Sequence, residues 1–136
     1  MDKIVPKDEE YMFEGRVAIS QTDLEGKIIF VNRKYCEVSG YTLNELVDNS
    51  SDILRHPSVS QTVFDKMWTA LKSGQVWNGL LKNLRKDGQF YWVDMEIAPV
   101  LDSKEEIIGY ISVSKPAPRK NIAENEKLLT TQNETK

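Results

Sequence analysis

Residues 76–101, with the sequence VWNGLLKNLRKDGQFYWVDMEIAPVL, carry the clearest structural signal in this chain. Two runs rich in aromatic and β-branched residues flank Asp87-Gly88, and an Asp-Gly pair in this setting predicts a β-hairpin. Because side chains alternate along a strand, each run presents one shared face: Trp77, Gly79, Leu81 and Asn83 on the first, and Tyr91, Val93, Met95 and Ile97 on the second. A third run, 106–114, is expected to add Ile107, Gly109, Ile111 and Val113. An apolar face with an amide, an indole and two glycines indicates room for a ligand.

The segment before this hairpin predicts the longest helix. Its apolar side chains recur at i, i+3, i+4 and i+7, which places Phe64, Met67, Trp68 and Leu71 on one stripe. Ser58 with Gln61 fits a capping pattern for the start of this helix, and Gly74 is placed to end it. Arg55 and His56 then lie immediately before a helix N-terminus, where free backbone N–H groups favour an anion.

The first part of the chain predicts a second hairpin and short helices. Two β-branched runs, 17–21 and 27–31, are joined by residues 23–26, which end in glycine. Helical spacing follows until Gly40, and Thr42 with Glu45 forms a capping box. Together with the later segments this order predicts an α+β fold: one five-stranded antiparallel sheet with short helices and one longer helix packed over one face. We expect an N-terminal arm at 1–15, the domain at 16–115 and a polar C-terminal tail at 116–136.

The composition narrows the classes of function. The 136 residues include 18 basic and 21 acidic side chains, and the basic residues form no cluster, so nucleic acid is not an expected partner. One cysteine and one histidine cannot supply the four ligands of a structural zinc site, so no metal is expected. No secretory leader and no apolar run of about 18 residues occur, which predicts a cytoplasmic protein without direct membrane insertion. No nucleophile elbow or phosphate-binding loop is present, so an enzyme is not expected.

Six segments together resemble one family. These segments, TDLEGKIIFVN, SGYTLNEL, RHP, MWTALKSGQVWNGLLKN, RKDGQFYWV and GYISV, are similar to the PAS domain of bacterial aerotaxis (energy-taxis) receptors, which carries FAD as a redox sensor. The resemblance runs from Ser20 to Ser114. It implies a single PAS fold that binds a flavin and takes part in signal transduction.

The resemblance also implies a set of cofactor-binding residues: Asn32, Arg55, His56, Trp77 and Asn83. Chemistry agrees with this set, because a guanidinium can pair with pyrophosphate oxygens, an indole offers a flat wall, and amides both donate and accept hydrogen bonds. Where the family continues with a cofactor-binding Asp after Arg-His-Pro, this chain has Ser58. We expect Ser58 to take that place in the binding set, although it can cap a helix and cannot supply a carboxylate. An amide beside the flavin is also a hypothetical readout, because reduction protonates flavin N5 and a neighbouring Asn would reorient.

The resemblance therefore predicts an FAD-binding redox sensor for aerotaxis. Since no HAMP or methyl-accepting segment is visible, its expected partner is a separate membrane-bound chemotaxis transducer, which would recruit it to the inner membrane; a homodimer is left open. One alternative is a cofactor-free PAS module for protein interaction or dimerisation. Another is a haem-binding gas sensor with His56 as axial ligand. Simpler explanations also exist for single residues: sheet packing for Trp77 and Asn83, helix capping for Asn32, and surface positions for Arg55 and His56.

Overall fold

The computed structural model describes residues 4–124 of the chain. Within this range, five strands form one antiparallel sheet in the spatial order β2-β1-β5-β4-β3. The strands are β1 (Ala18–Thr22), β2 (Ile28–Val31), β3 (Trp77–Leu84), β4 (Phe90–Leu101) and β5 (Ile107–Pro116). The first strand of the chain, β1, therefore lies beside the last, β5, in the interior of the sheet. The β1–β2 and β3–β4 pairings confirm both predicted hairpins.

Helices cover one face of this sheet, as the sequence predicts. They are α1 (Arg33–Ser39), α2 (Leu43–Leu46), a 3-10 turn (Ser51–Leu54) and α3 (Gln61–Lys72), and residues 119–124 are also helical. Gly40 ends α1 at φ 80°, a left-handed conformation that glycine adopts without penalty. Thr42 and Glu45 form the predicted capping box of α2. The α3 stripe is confirmed, since Phe64, Met67 and Leu71 are buried.

The start of α3 differs from the prediction. Its N-cap is Ser60, whose hydroxyl accepts a hydrogen bond from the backbone N–H of Thr62. Ser58, the predicted cap, lies two residues earlier and bonds His56 instead. Both serines precede the same apolar stripe, but Ser58 makes a local contact with His56, two residues before it, and Ser60 caps the helix.

The face of β5 also differs from the prediction. Tyr110, Ser112 and Ser114 point to the helix-covered side, whereas Gly109, Ile111 and Val113 lie on the opposite side. The pairing of β4 with β5 shifts register between Val100 and Leu101, so that Ile108 is an extra residue in β5 and Ile107 returns to the core side. The assumption that apolar residues face inward was wrong for this strand, because its inner face borders a cavity rather than a packed core.

Both ends of the described chain pack onto the domain. Residues of the predicted N-terminal arm pair with β4 through the Tyr11 N–H, which donates to the Phe90 carbonyl at 2.7 Å, and the Phe13 side chain is buried in the core. The predicted tail begins as strand, since β5 continues through Pro116, and Ile122 in the following helical turn is buried. The Arg119 guanidinium makes two hydrogen bonds to the Glu10 carboxylate and so joins the two ends. The rest of the predicted tail, 125–136, lies outside the described residues.

Candidate functional site

A cavity lies between the inner face of the sheet and the helices. It contains about 800 Å³ of empty space, its open mouth included. Aromatic rings form a large part of its wall, contributed by Phe13, Tyr35, Phe64, Trp68, Tyr91 and Tyr110. Trp68 of α3 and Tyr110 of β5 meet edge to face with ring centroids 5.2 Å apart. Concave, mostly apolar cavities with a few polar groups are the usual form of small-molecule sites.

The polar groups of this cavity come from two regions. One is the floor made by β1 and β5, and the other is the segment from the 3-10 turn to Arg55 together with the facing part of β3. The polar lining residues are Ser20, Thr22, Ser112 and Ser114 in the first region, and Ser51, Asp52, Arg55 and Asn83 in the second. The predicted binding residues Arg55 and Asn83 therefore lie at the same cavity.

Arg55 and Asn83 are brought together by the backbone. An isolated antiparallel bridge pairs these two residues, so the chain after the 3-10 turn runs beside the outer edge of β3. The Arg55 guanidinium lies over the Phe64 ring, 4.3 Å from its centroid, and Nη1 donates to Gln61 Oε1 at 2.6 Å. A cation held in this way at the cavity wall can bind an anionic group.

Asn83 also faces Tyr91 across the β3–β4 pairing, and their side chains are hydrogen-bonded. Burial raises the pKa of the Tyr91 hydroxyl, with the nearby Tyr35 adding to the shift and the Asn83 bond opposing it. Tyr91 therefore stays protonated, and its hydroxyl is a fixed neutral neighbour for the amide at the cavity wall.

Asn32 does not line the cavity. Its Oδ1 accepts hydrogen bonds from the backbone N–H groups of Tyr35 and Ile19, both at 3.0 Å, and its Nδ2 donates to the Val17 carbonyl at 3.0 Å. The side chain caps α1 and ties the helix to β1. The simpler explanation, a capping residue, is the one that these contacts show.

His56 and Ser58 form a small unit outside the cavity lining. The His56 ring is buried and meets Phe90 edge to face with centroids 6.4 Å apart. Its Nδ1 accepts from the Ser58 N–H at 3.1 Å and lies 2.8 Å from Ser58 Oγ. Burial, with a smaller effect of the Lys82 charge, lowers the pKa of His56 to about 4. The imidazole is therefore neutral at pH 7 and holds the chain between Arg55 and α3.

Trp77 begins β3 at the edge of the same inner face, but it is not one of the cavity-lining residues. Its indole lies over Gly79 so closely that a Cβ at Gly79 would be 2.6 Å from Trp77 Cη2. The indole of Trp77 therefore packs against Gly79 of the same strand, in space that a larger residue at position 79 would fill.

Sequence reasoning missed the hydroxyl groups on the floor of the cavity. Ala18, Ser20 and Thr22 alternate along β1, and Tyr110, Ser112 and Ser114 alternate along β5. Small hydroxyl side chains spaced i, i+2 in each strand, Ser20 with Thr22 and Ser112 with Ser114, are the signal that could have found them. Asp52, also at the cavity, has no comparable pattern.

Fold and cavity together define a small α+β domain that encloses a mostly apolar cavity. The PAS fold model matches residues 16–116, and the chain belongs to this family. The aerotaxis receptor of Escherichia coli (strain K12) is 38% identical over 115 residues, which cover 85% of this chain and 22% of the receptor. A nitrogen fixation regulatory protein of Klebsiella oxytoca is 34% identical over 102 residues, covering 75% of this chain and 21% of that protein.

These similarities concern one part of longer proteins, since the chain spans about a fifth of each of these two relatives. A solved light-oxygen-voltage domain, described in a study of a flavin analogue, superposes with a TM-score of 0.72 at 22% identity and covers 81% of this chain and 86% of that one. This likeness supports the fold. Within residues 4–124, no helix has the length and apolar character needed to cross a membrane.

Proposed function

We propose that this PAS domain binds FAD and acts as a redox sensor for aerotaxis. The observation that carries the proposal is the cavity itself, with aromatic walls for a flat ring, hydroxyls on its floor and the Arg55 guanidinium at its wall. The 38% identity to the aerotaxis receptor supports the part of the proposal that concerns aerotaxis. When bound, the flavin would supply reversible electron transfer, which a chain of ordinary side chains cannot provide.

The residues of this chain would have distinct tasks in holding FAD. Arg55 is suited to the pyrophosphate, because its guanidinium is positioned by Phe64 and Gln61 and can bind oxygens in a bidentate manner. Asn83 can donate to or accept from the ring, and a change in its hydrogen bonds would reach Tyr91 directly. His56 and Ser58 would act indirectly, by holding the Arg55 segment against the end of α3. Asn32 and Trp77 would support the strands that form the cavity.

The haem alternative is weaker in this geometry. An axial ligand must reach the iron, but the His56 ring packs against Phe90 and is not among the residues that line the cavity. The cofactor-free interaction module is also weaker, because a domain without a ligand would be more stable with this cavity filled. We therefore prefer a flavin to either alternative.

We further propose that the protein is not an enzyme and passes its redox state to a membrane-bound chemotaxis transducer. The domain would then act in the cytoplasm, at the inner membrane. A test is cosedimentation of the purified domain with vesicles that carry a HAMP-containing, methyl-accepting transducer from the same cells, compared with vesicles lacking it. Equal binding to both kinds of vesicle would contradict this part of the proposal.

The cofactor is tested by expressing the protein with added riboflavin and recording its visible spectrum. Acid release and chromatography then identify the chromophore. A flavin spectrum that bleaches with dithionite and returns in air, with FAD in the supernatant, is the expected result. A protein that stays colourless after reconstitution with FAD would favour the interaction module, and a Soret band would favour haem.

Two neighbouring leucines offer a matched pair for this experiment. Leu81 lines the cavity, while Leu80 points to the other side of β3. Leu81→Phe reduces the space for the ring and should yield colourless protein, whereas Leu80→Phe should retain the flavin. Equal flavin content in both variants would place the cofactor outside this cavity.

A further inference from the structure

The floor of the cavity is polar on the side of β1 and β5. Ser20 pairs with Ser112 across the two strands, and their hydroxyl oxygens are 2.7 Å apart. Thr22 pairs with Tyr110, and Ala18 pairs with Ser114 on the same face. Four hydroxyl side chains thus form a patch within a cavity whose other walls are mainly apolar.

One of these hydroxyls has no protein partner. Thr22 is only 5% exposed, and its Oγ1 makes no hydrogen bond to any of the residues 4–124. An unpaired buried hydroxyl destabilises a protein, and such groups in native structures usually have a functional explanation. Valine has the same shape and would remove this penalty. The presence of threonine here therefore indicates a ligand atom as the missing partner.

Close packing against β5 positions the backbone of Thr22. Gly109 of β5 lies so close to Thr22 that a Cβ there would be 2.3 Å from the Thr22 carbonyl oxygen. Because the strands approach this closely, the backbone of Thr22 is held against β5, and its side chain lines the cavity. The patch is part of the paired strands β1 and β5 rather than of a loop.

We propose that Ser20, Thr22, Ser112 and Ser114 form a hydrogen-bonding subsite for the polar edge of the flavin ring. This inference rests on the proposed function and assigns to the floor a task that Asn32, which lies outside the cavity lining, cannot perform. A hydroxyl both donates and accepts, so the patch matches an edge that alternates ring carbonyls with an N–H group. The hydroxyls are neutral, which suits the uncharged ring, while the charged pyrophosphate is left to Arg55 on the other side of the cavity.

The decisive variant is Thr22→Val, because its two expected effects have opposite signs. The melting temperature of the apoprotein should rise by about 2–5 °C, since an unpaired buried hydroxyl is removed. The dissociation constant for FAD should increase about tenfold, since the ligand loses a hydrogen bond. Lumichrome, which contains the ring without the ribityl and phosphate groups, should lose affinity by the same factor.

Thr69→Val is the matched control. Thr69 is an exposed residue of α3 whose hydroxyl donates to the Asp65 carbonyl, and it lies outside the cavity lining. This variant should leave both affinities unchanged. Ser112→Ala tests the same subsite through a second strand and should weaken FAD and lumichrome alike.

The outcomes separate this proposal from the broader one. If the wild-type protein binds FAD and Thr22→Val binds it equally well, the subsite is wrong while the flavin sensor stands. A lower melting temperature of apo Thr22→Val, or a loss of affinity for FAD but not for lumichrome, would also overturn the subsite. If the wild-type protein binds neither FAD nor lumichrome, both proposals fail.

Discussion

Asn83 and Tyr91 face each other across the β3–β4 pairing, hydrogen-bonded and both at the cavity wall. Because both groups are partly or fully removed from water, each depends on the other for its hydrogen bond. This pair connects the cavity to the middle of the hairpin and gives the first prediction.

Replacing Asn83 by Leu should lower the free energy of unfolding of the apoprotein by about 1–3 kcal/mol, because the Tyr91 hydroxyl is left buried without its partner. Tyr91→Phe in the same chain should restore part of that loss, since the orphaned hydroxyl is then absent. A double-mutant cycle measured by urea denaturation checks this. Strict additivity of the two single changes would show that the pair is not energetically coupled.

Arg55→Ala should weaken FAD binding about tenfold or more while leaving riboflavin binding nearly unchanged, because riboflavin lacks phosphate. Isothermal titration with both flavins measures the difference. Arg33→Ala, an exposed arginine at the start of α1, serves as the charge-matched control. An equal loss for riboflavin and FAD would mean that Arg55 acts on the shape of the cavity rather than on the phosphates.

The burial of His56 predicts a pH-dependent stability. Its pKa is about 4 in the folded protein and 6.5 in an unfolded chain, so between these values the unfolded state binds a proton that the folded state does not. The free energy of unfolding should therefore fall by about 3 kcal/mol on this account as pH drops from 6.5 to 4. Denaturation curves at pH 7 and pH 4.5 test it.

His56→Gln provides the comparison for that experiment, since glutamine can still accept from the Ser58 N–H. Carboxylates elsewhere contribute equally to both proteins, so the variant should lose less stability on acidification than the wild type. The same loss in both proteins would show that His56 titrates normally.

Two strand glycines should differ in their response to alanine. At Gly109 the added Cβ meets the backbone carbonyl of Thr22, whereas at Gly79 it meets the side chain of Trp77. Gly79→Ala should cost about 1–3 kcal/mol and be largely rescued by Trp77→Ala in the same chain, because the clashing ring is removed. Gly109→Ala should cost more and have no comparable rescue.

Thermal denaturation of Gly79→Ala, of Gly79→Ala combined with Trp77→Ala, and of Gly109→Ala compares these losses of stability. If Gly79→Ala remains as unstable with Trp77→Ala as without it, the indole does not occupy the space above the glycine.

Local signals made most of the fold predictable. The hairpin at 86–88, the end of α1 at Gly40 and the capping box at Thr42 each depend on neighbours within a few residues, and all three are confirmed. The α3 stripe is equally local. Where two local signals competed, as for Ser58 and Ser60, Ser60 caps the helix and Ser58 bonds the His56 ring, a choice that the capping pattern alone does not make.

The site was less predictable because a cavity reverses the ordinary rule for strands. On β5 the serines face inward and Ile111 faces outward, since the inner side borders empty space and not packed side chains. The extra residue Ile108 changes the phase of the strand as well. Strand β5 extends through Pro116, the first residue of the predicted tail, where β4 is still paired but β1, which begins opposite Ser114, is not.

Phe13 precedes the segment matched by the PAS model and yet forms part of the cavity wall. Binding of the proposed flavin and attachment of the chain around Phe13 would therefore be linked equilibria, and such linkage is reciprocal. A protein that binds this segment and draws it away from β4 would lower the affinity for the cofactor. The bound cofactor would lower the affinity for that protein by the same factor. Through one phenylalanine, the amount of cofactor in a cell would influence which partners the domain can engage.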